Sequence, residues 1–471
     1  VAAGTLRAGA ANAFSAASAH DVQSGAVLDL DGFDQTLGLL DNAGTVRTGG
    51  APGTTLTVST YTGSSGLLRL NTALGDDGST TDRLVATTVL GTGTLQVTNV
   101  GGAGAQTSEG IKVVDVLDPG ASDGTFALQG DYVFHGEQAV VGGAYAYMLH
   151  EGGVSTPTDG DWYLRSALVN PPPAVPAGPI FQPGVALYES YPQILLQLMR
   201  MPTLRERVGH NPPGASRGSA AAAYGEAPPM RLGGSSLRDD GSVAHGAAGT
   251  AWWGRVDGGR DSIEPSTSTA GATYVADQMR LQSGFDAQLH EDGRGRLMGG
   301  LTVQQGNSWA RVHSVWGKGK LYTEGYGIGG TLTWYGVHGL YVDTQAQVNF
   351  YNTDIRSDLA GALVRGDNAV GYGTSIETGK RIGMHGPWSL TPQLQLAYTR
   401  ADFSFADRFG ADVSLDEGSS LLGRAGLAVD YRNVSLGSGG PTSTRVYGIA
   451  NLYYEFVDGT SVDVSGTPFL S

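Results

Sequence analysis

The sequence has no cysteine in 471 residues, which excludes a disulfide framework and a cysteine-ligated metal. It also lacks an apolar run of about 20 residues, so no helix is expected to cross a bilayer, and any membrane role falls to strands. Positive charge is scarce in the first part of the chain. Residues 1–180 hold 6 Lys and Arg against 17 Asp and Glu, which puts −11 of the net −15 there. Such an acidic segment is a poor partner for nucleic acid and suits solubility outside a cell. The opening Val1-Ala2-Ala3-Gly4 has neither a basic n-region nor an apolar h-region. A signal peptide is expected to have been removed, or to lie upstream in a longer precursor. The nine histidines form no His-Glu-x-x-His or comparable set, so no metal, cofactor or catalytic residue is expected.

What is present, from about Trp252 onward, is apolar/polar alternation. In Val342 to Phe350 one face reads Val342, Thr344, Ala346, Val348 and Phe350, while the other reads Asp343, Gln345, Gln347 and Asn349. A period of two places these sets on opposite faces of a strand. Further segments repeat the pattern: Leu281, Phe285, Ala287 and Leu289 against Arg280, Gln282, Asp286 and Gln288; Tyr372, Thr374 and Ile376 against Ser375 and Glu377; Leu427, Val429 and Tyr431 against Arg424 and Asp430. An apolar face opposed by Gln, Asn, Thr, Arg and Glu suits a barrel with lipid outside and water inside. The pattern predicts about nine strands. Connectors after strands one, three, five, seven and nine read as long and polar. Those after two and four read as short, and the one after eight, Asn433 to about Ser443, as intermediate. Alternating loop lengths set one rim to the exterior and the other to the periplasm.

Residues 1 to about 150 read as short strands bounded by Gly, Asn, Asp and Ser, such as Val27-Leu28-Asp29, Thr55 to Ser59, Leu67 to Leu70 and Ile111 to Val116. Their spacing fits a β-helix, with a β-sandwich as the competitor. Helical periodicity is weak there except in an Ala-rich stretch from Ala10 to Ala19. Aromatic strands containing Tyr145, Tyr147, Trp162 and Tyr163 are placed to cap the solenoid's open end. The Pro-rich run Asn170 to Pro176 favours extended backbone. Pro183 to Val208 reads as helix, and residues 209–246 as a flexible Gly, Ala, Ser and Pro linker.

This order resembles a pertactin-type autotransporter of type V secretion, over nearly the whole chain. The resemblance is carried by Gly66-Leu67-Leu68-Arg69-Leu70-Asn71-Thr72, Asp82-Arg83-Leu84-Val85, Gln96 to Gly102, Trp162-Tyr163-Leu164-Arg165-Ser166, Gly184 to Tyr188, Thr203 to Gly209, and Trp253-Gly254-Arg255-Val256. It implies an all-β protein: the end of a right-handed parallel β-helix with its autochaperone-like cap (1–166), a Pro-rich linker (167–182), a pore helix (183–208), a flexible linker (209–246) and an outer-membrane barrel (247–471). The family's barrel closes with more strands than the nine read here and ends in an aromatic residue recognised by the barrel assembly machinery. The chain ends Thr467-Pro468-Phe469-Leu470-Ser471, inside what would be an outer loop, so a C-terminally incomplete piece is expected. Implied function is export of its own passenger to the cell surface by a monomer contacting outer-membrane lipid, without enzymatic activity. A secreted or surface-bound all-β adhesin, or a porin-like channel with an attached domain, is the alternative.

The site residues follow from these roles. Tyr188, Gln193, Gln197, Arg205 and Arg207 of the helix, with Glu189, are expected to meet the lumen-facing Arg280, Asp286, Asp343, Gln345, Glu377 and Arg424. Arg205 and Arg207 are expected to meet inward carboxylates such as Asp286 or Asp343. Some autotransporters cut the passenger inside the barrel, and Asp286, Asp343 and Glu377 carry the group such chemistry needs; wetting the lumen and pairing with Arg is the favoured reading. Arg365-Gly366-Asp367 is an integrin-type tripeptide, expected in a long outer loop after strand five and able to meet a host-cell surface. Glycines such as Gly327 and Gly329 are read as close packing and curvature rather than phosphate binding.

Overall fold

The computed structural model describes residues 1–169, 175–208, 250–437 and 440–471. The N-terminal part stacks parallel strands into rungs. Successive rungs align Leu28, Val46, Leu68, Leu95 and Leu128 in register, and all five are buried. A second ladder aligns Leu37, Val58, Ala86 and Val116. Each rung thus contributes several apolar side chains to a continuous core. The two short strands expected at Thr55 to Ser59 and Leu67 to Leu70 are in fact one long strand, Thr55–Thr72, and a second long strand, Arg83–Asn99, runs parallel beside it. The Ala-rich stretch at residues 10–19 contains no helix and is made largely of turns and bends. Its alanines are mostly exposed, leaving little apolar area to hold a helix there.

Polar keystones tie the rungs together. Asp82 is fully buried and accepts the amides of Gly53, Thr54 and Asn71 at 2.9, 2.8 and 2.7 Å, with the Thr48 hydroxyl also donating to it. Parallel stacking ends at Ile111–Val116, which pairs antiparallel with Trp162–Arg165. Three more antiparallel strands follow in space: Tyr145–Glu151, Glu137–Gly142 and Tyr132–Phe134. This change of direction replaces the next rung with a meander and closes the solenoid.

Two ion pairs give the passenger part a defined pH range. Burial pushes the Asp29 carboxyl up, but hydrogen bonds from Arg47 and the Asp31 amide, with the charges of Arg47 and Arg7, hold it below its ordinary 3.8. Partial burial disfavours the Lys112 ammonium, yet its 2.5 Å pair with Asp161 outweighs this and raises it above its ordinary 10.5. A depressed carboxylate contributes stability that is lost as pH falls through its folded value; a raised ammonium contributes stability that is lost as pH rises through its own. Burial and the Arg165 charge hold the His150 imidazole below its ordinary 6.5, so its burial also costs stability as pH falls below that value. Melting temperature of the passenger part should therefore hold level between about pH 6.5 and about pH 10 and fall on both sides, further still below about pH 4. Scanning calorimetry checks this, and a fall beginning between about pH 7 and about pH 9 would contradict it.

The C-terminal part is a curled antiparallel sheet of nine successive long strands: Thr250–Ile263, Thr273–Asp292, Gly295–Ser314, Gly317–Gly336, Leu340–Ser357, Gly361–Lys380, Trp388–Asp402, Ser419–Gly437 and Gly440–Glu455. They are called the first to ninth barrel strands below. Burial is inverted relative to a soluble sheet. Asp343, Gln345, Gln347 and Asn349 are buried, whereas Phe350, Ile328, Leu301 and Tyr372 are 55%, 64%, 72% and 49% exposed.

Loop lengths differ from the expected alternation. Only Val315 and Trp316 separate the third and fourth strands, and three residues separate the fifth and sixth. The reason is strand length. The second to sixth strands run 18–20 residues, while about 9–11 span a bilayer. What reads as polar loop is strand continuing into water, and the eighth and ninth strands likewise run through the connector expected after strand eight. Outside the main sheet, Ser404–Ala406, Asp412–Glu417, Ser461–Val464 and Thr467–Leu470 form a separate four-stranded sheet from the connectors after the seventh and ninth strands.

Candidate functional site: the occupied lumen and its outer rim

A helix, Val185–Leu198, lies inside the curled sheet, packed against the second, third, fourth and seventh barrel strands and the outer four-stranded sheet. Eleven of its fourteen residues are buried, on all sides rather than along one stripe. A helix in that condition is enclosed. Strand glycines make the room. A methyl group at Gly319 would overlap the Leu187 side chain, and one at Gly371 the Met199 sulfur. Gly371→Leu should therefore expel or tilt the helix end. The expected result is faster proteolysis near Met199 with the barrel still folded; unchanged cleavage would show that the segment tolerates displacement.

The expected helix over 183–208 is interrupted. It stops at Leu198, and a short helix, Leu204–Val208, follows after Met199–Thr203. The break contains Pro202, which cannot continue the i to i−4 ladder. The last turn leaves carbonyls without intrahelical partners, and barrel side chains supply donors. Arg280 donates to the Leu198 and Arg200 carbonyls at 3.4 and 2.6 Å, Gln347 to Met199 at 2.9 Å, and Gln345 to Pro202 at 2.7 Å. The Arg280 charge also complements the negative end of the helix dipole. Gln347, named in the alternation alone, is thus a contact residue that reasoning about charge missed.

Beyond the break, paired charges fix the short helix. Arg207, 1% exposed, pairs with the fully buried Asp343 and lies 3.5 Å from Asp286, and Thr333 joins the cluster. Arg205 pairs with a different inward carboxylate, Asp430, at 2.7 Å, because residues two apart on this turn point to different walls. Glu377 accepts the Leu204 amide at 3.0 Å and the Tyr341 hydroxyl at 2.6 Å, and pairs with Arg424 at 3.2 Å. All six lumen candidates are buried on the inner face, and Asp286, Asp343 and Glu377 each face an arginine.

Nearer the exit, Tyr188 donates to Asp407 at 2.9 Å, where Gln182 also donates. Glu189 accepts the Ala270 amide and the Ser268 hydroxyl from the connector after the first strand. Gln193 reaches Thr460 at 3.4 Å, and Gln197 accepts from Gln278 at 2.5 Å. Asp407 and the outer sheet were not anticipated, because they lie in segments read as loop. The alternation Phe403-Ser404-Phe405 was the available signal, and its rings pack on Tyr191 and Tyr188.

The four cap aromatics separate into two roles. Trp162 meets Phe126 edge-on at 5.5 Å, and Tyr147 accepts the Ala105 amide at 2.8 Å and lies 2.8 Å from the Gly75 carbonyl. Tyr163 turns to Lys112 and Arg165, and Tyr145 to Phe181. The opposite side of the cap docks on the barrel: Phe134 and Phe181 both contact Trp316 of the third-to-fourth turn, and Phe181 contacts Phe469. Arg365-Gly366-Asp367 lies within the sixth barrel strand, not in a long loop. Arg365 is exposed, whereas Asp367 is paired in register with the buried, inward Thr353. The flexible linker at 209–246 and Asn170 to Ala174 of the Pro-rich run lie outside the described residues.

A lipid-facing barrel whose lumen is threaded by the segment leading to a capped β-helix defines an outer-membrane translocator with its cargo attached. Residues 252–470 match the autotransporter beta-domain and residues 39–149 the autochaperone domain type 1. The chain belongs to the autotransporter family, with its barrel in the outer membrane and residues 1–166 at the cell surface or secreted. It is 43% identical over 419 residues to the adhesin BmaC autotransporter of Brucella suis, covering 87% of this chain and 12% of that protein. It is 31% identical over 373 residues to the uncharacterized protein YdeU of Escherichia coli, covering 74% of this chain and 73% of that one. The solved transport unit of the Escherichia coli autotransporter AIDA-I aligns with a TM-score of 0.41 at 20% identity, over 47% of this chain and 74% of that one.

Proposed function

We propose that this barrel exports an adhesive, non-enzymatic passenger and that residues 66–165 start the passenger's folding once they emerge. The observation that supports it most is one continuous apolar core, running from Tyr132 and Phe134 of the cap through the helix to Phe469 of the outer sheet. The C-terminal end emerges first if the chain leaves as a hairpin, so a capped rung held at the exit offers a template for each later rung. Folding outside then opposes backsliding and gives export a direction without a nucleotide. The Brucella relative's name supports the adhesive role, and insertion would use the barrel assembly machinery.

Protease shaving of intact cells tests the reading: residues 1–166 should be lost while the barrel stays protected. A surviving N-terminal part would favour a channel with a periplasmic domain, and recovery of residues 247–471 in the soluble fraction a secreted adhesin. A host-cell role for the tripeptide is tested by Asp367→Glu. Adhesion of whole bacteria should fall if the tripeptide contributes, and unaltered adhesion removes it from the proposal.

A further inference from the structure

The outward face of the third to fifth barrel strands carries a row of cations that the lumen and the passenger do not use. Arg311 is directly opposite Lys320, and Lys320 is directly opposite Arg356. One step nearer the rim, His313 is opposite Lys318. Arg311, His313, Lys318, Lys320 and Arg356 are all exposed. Only four lysines occur in the whole acidic chain, and two of them stand on this one hairpin. Arg311 has a carboxylate partner, Asp277 at 3.3 Å. Lys318, Lys320 and Arg356 make no ion pair among the described residues.

Position decides what this row faces. Directly below it Trp309 and Tyr322 pair at 5.7 Å, both partly exposed. Asp354 stands beside Tyr322, and a polar row of Asn307, Glu324 and Asn352 comes next. Below that row the same strands carry the exposed Tyr326, Phe350, Val303, Ile328 and Leu301. Aromatic residues mark the membrane–water boundary and the aliphatic ones the hydrocarbon, so the boundary lies at Tyr326 and Phe350 and the cations stand above it, on the water side. They are on the outer side, because the Trp316 turn that joins these strands is the one against the passenger cap.

Neighbouring strands lie about 4.8 Å apart, and like charges directly opposite each other are destabilising. Three consecutive cations in one row call for an anion between them. Ammonium and guanidinium groups at this spacing present several convergent donors, the chemistry that holds phosphate. We propose that Lys318, Lys320 and Arg356, with Arg311, bind the phosphate groups of a phosphorylated glycolipid in the outer leaflet. The glycolipid's acyl chains would lie along Tyr326, Ile328 and Phe350. Seated there, the lipid would brace the hairpin on which the passenger cap rests.

The test is native mass spectrometry of the full-length protein extracted from outer membranes, titrated with lipid A and with lipid A stripped of its phosphates. The intact protein should bind phosphorylated lipid A at least about tenfold more tightly than the stripped form, on the order of 1.4 kcal/mol. Lys318→Gln/Lys320→Gln/Arg356→Gln should reduce binding of phosphorylated lipid A to the level of the stripped form. Lys318→Arg/Lys320→Arg should keep it, as should Arg294→Gln/Lys380→Gln on the opposite rim. Equal binding of both lipids by the unaltered protein would overturn the proposal without reference to any variant. Full competition by inorganic phosphate alone would also overturn it, since the site would then be one for the free ion.

Discussion

Deleting residues 183–208 should raise single-channel conductance several-fold in planar bilayers. A helix with its side chains is about 10 Å across, and Val185–Leu198 is walled by strands on several sides. Its removal leaves a water-filled path of about that width, because the inner wall is already polar. Arg280, Gln345, Gln347 and Glu377 would exchange helix partners for water at modest cost. A single change separates occupancy from anchoring. Arg207→Met removes the cation facing Asp343 and Asp286, and breaking such a buried pair typically costs about 3–5 kcal/mol. This variant should show flickering between low and high conductance rather than a steady open level. Unchanged conductance after the deletion would place the helix outside the ion path.

These contacts were legible in the sequence to different depths. The two-residue period identified the barrel and, in Val342 to Phe350, which side chains face in. It worked because lipid and water reverse the usual burial, so an alternating strand declares its environment on both faces. The helix was legible from Leu187, Ile194, Leu195 and Leu198, but its end was not. Pro202 is a local signal for the break at Met199 to Thr203, but the strand side chains that donate to its exposed carbonyls lie 80 or more residues away, and no local pattern encodes them. Arg205 and Arg207 were recognisable as lumen cations, whereas their division between Asp430 and Asp343 depends on the angle of a five-residue turn. The outer sheet stayed hidden for a similar reason. Its strands have three to six residues each and pair across connectors, so periodicity has too few repeats to register. Asp407, the group that grips Gln182 and Tyr188, sits among Phe403, Phe405 and Phe409, a pattern too short to show which element it packs against.

Trp162→Ala should leave barrel insertion intact and yield a surface passenger that is protease-sensitive or stalled. Trp162 is 8% exposed, sits opposite Val114 in the parallel strand Ile111–Val116, and meets Phe126, which in turn packs on Tyr61. It therefore joins the antiparallel cap to the stacked Leu core at the point where strand direction changes. Truncating a buried Trp typically costs about 3–5 kcal/mol, a large share of the roughly 5–15 kcal/mol that holds a domain folded. The loss falls on the rung that later rungs must copy, so it should reach the whole passenger rather than one strand. The barrel lies on the far side of the cap, where Phe134, Phe181, Trp316 and Phe469 form a separate cluster that does not include Trp162. Phe469→Ala should accordingly show the complementary defect: a folded, protease-resistant passenger held less firmly at the rim. Pulsed proteolysis of whole cells, with heat-modifiable mobility of the barrel as the insertion control, distinguishes the two. A Trp162→Ala passenger secreted at the normal rate and fully resistant would show that folding starts elsewhere than at the cap.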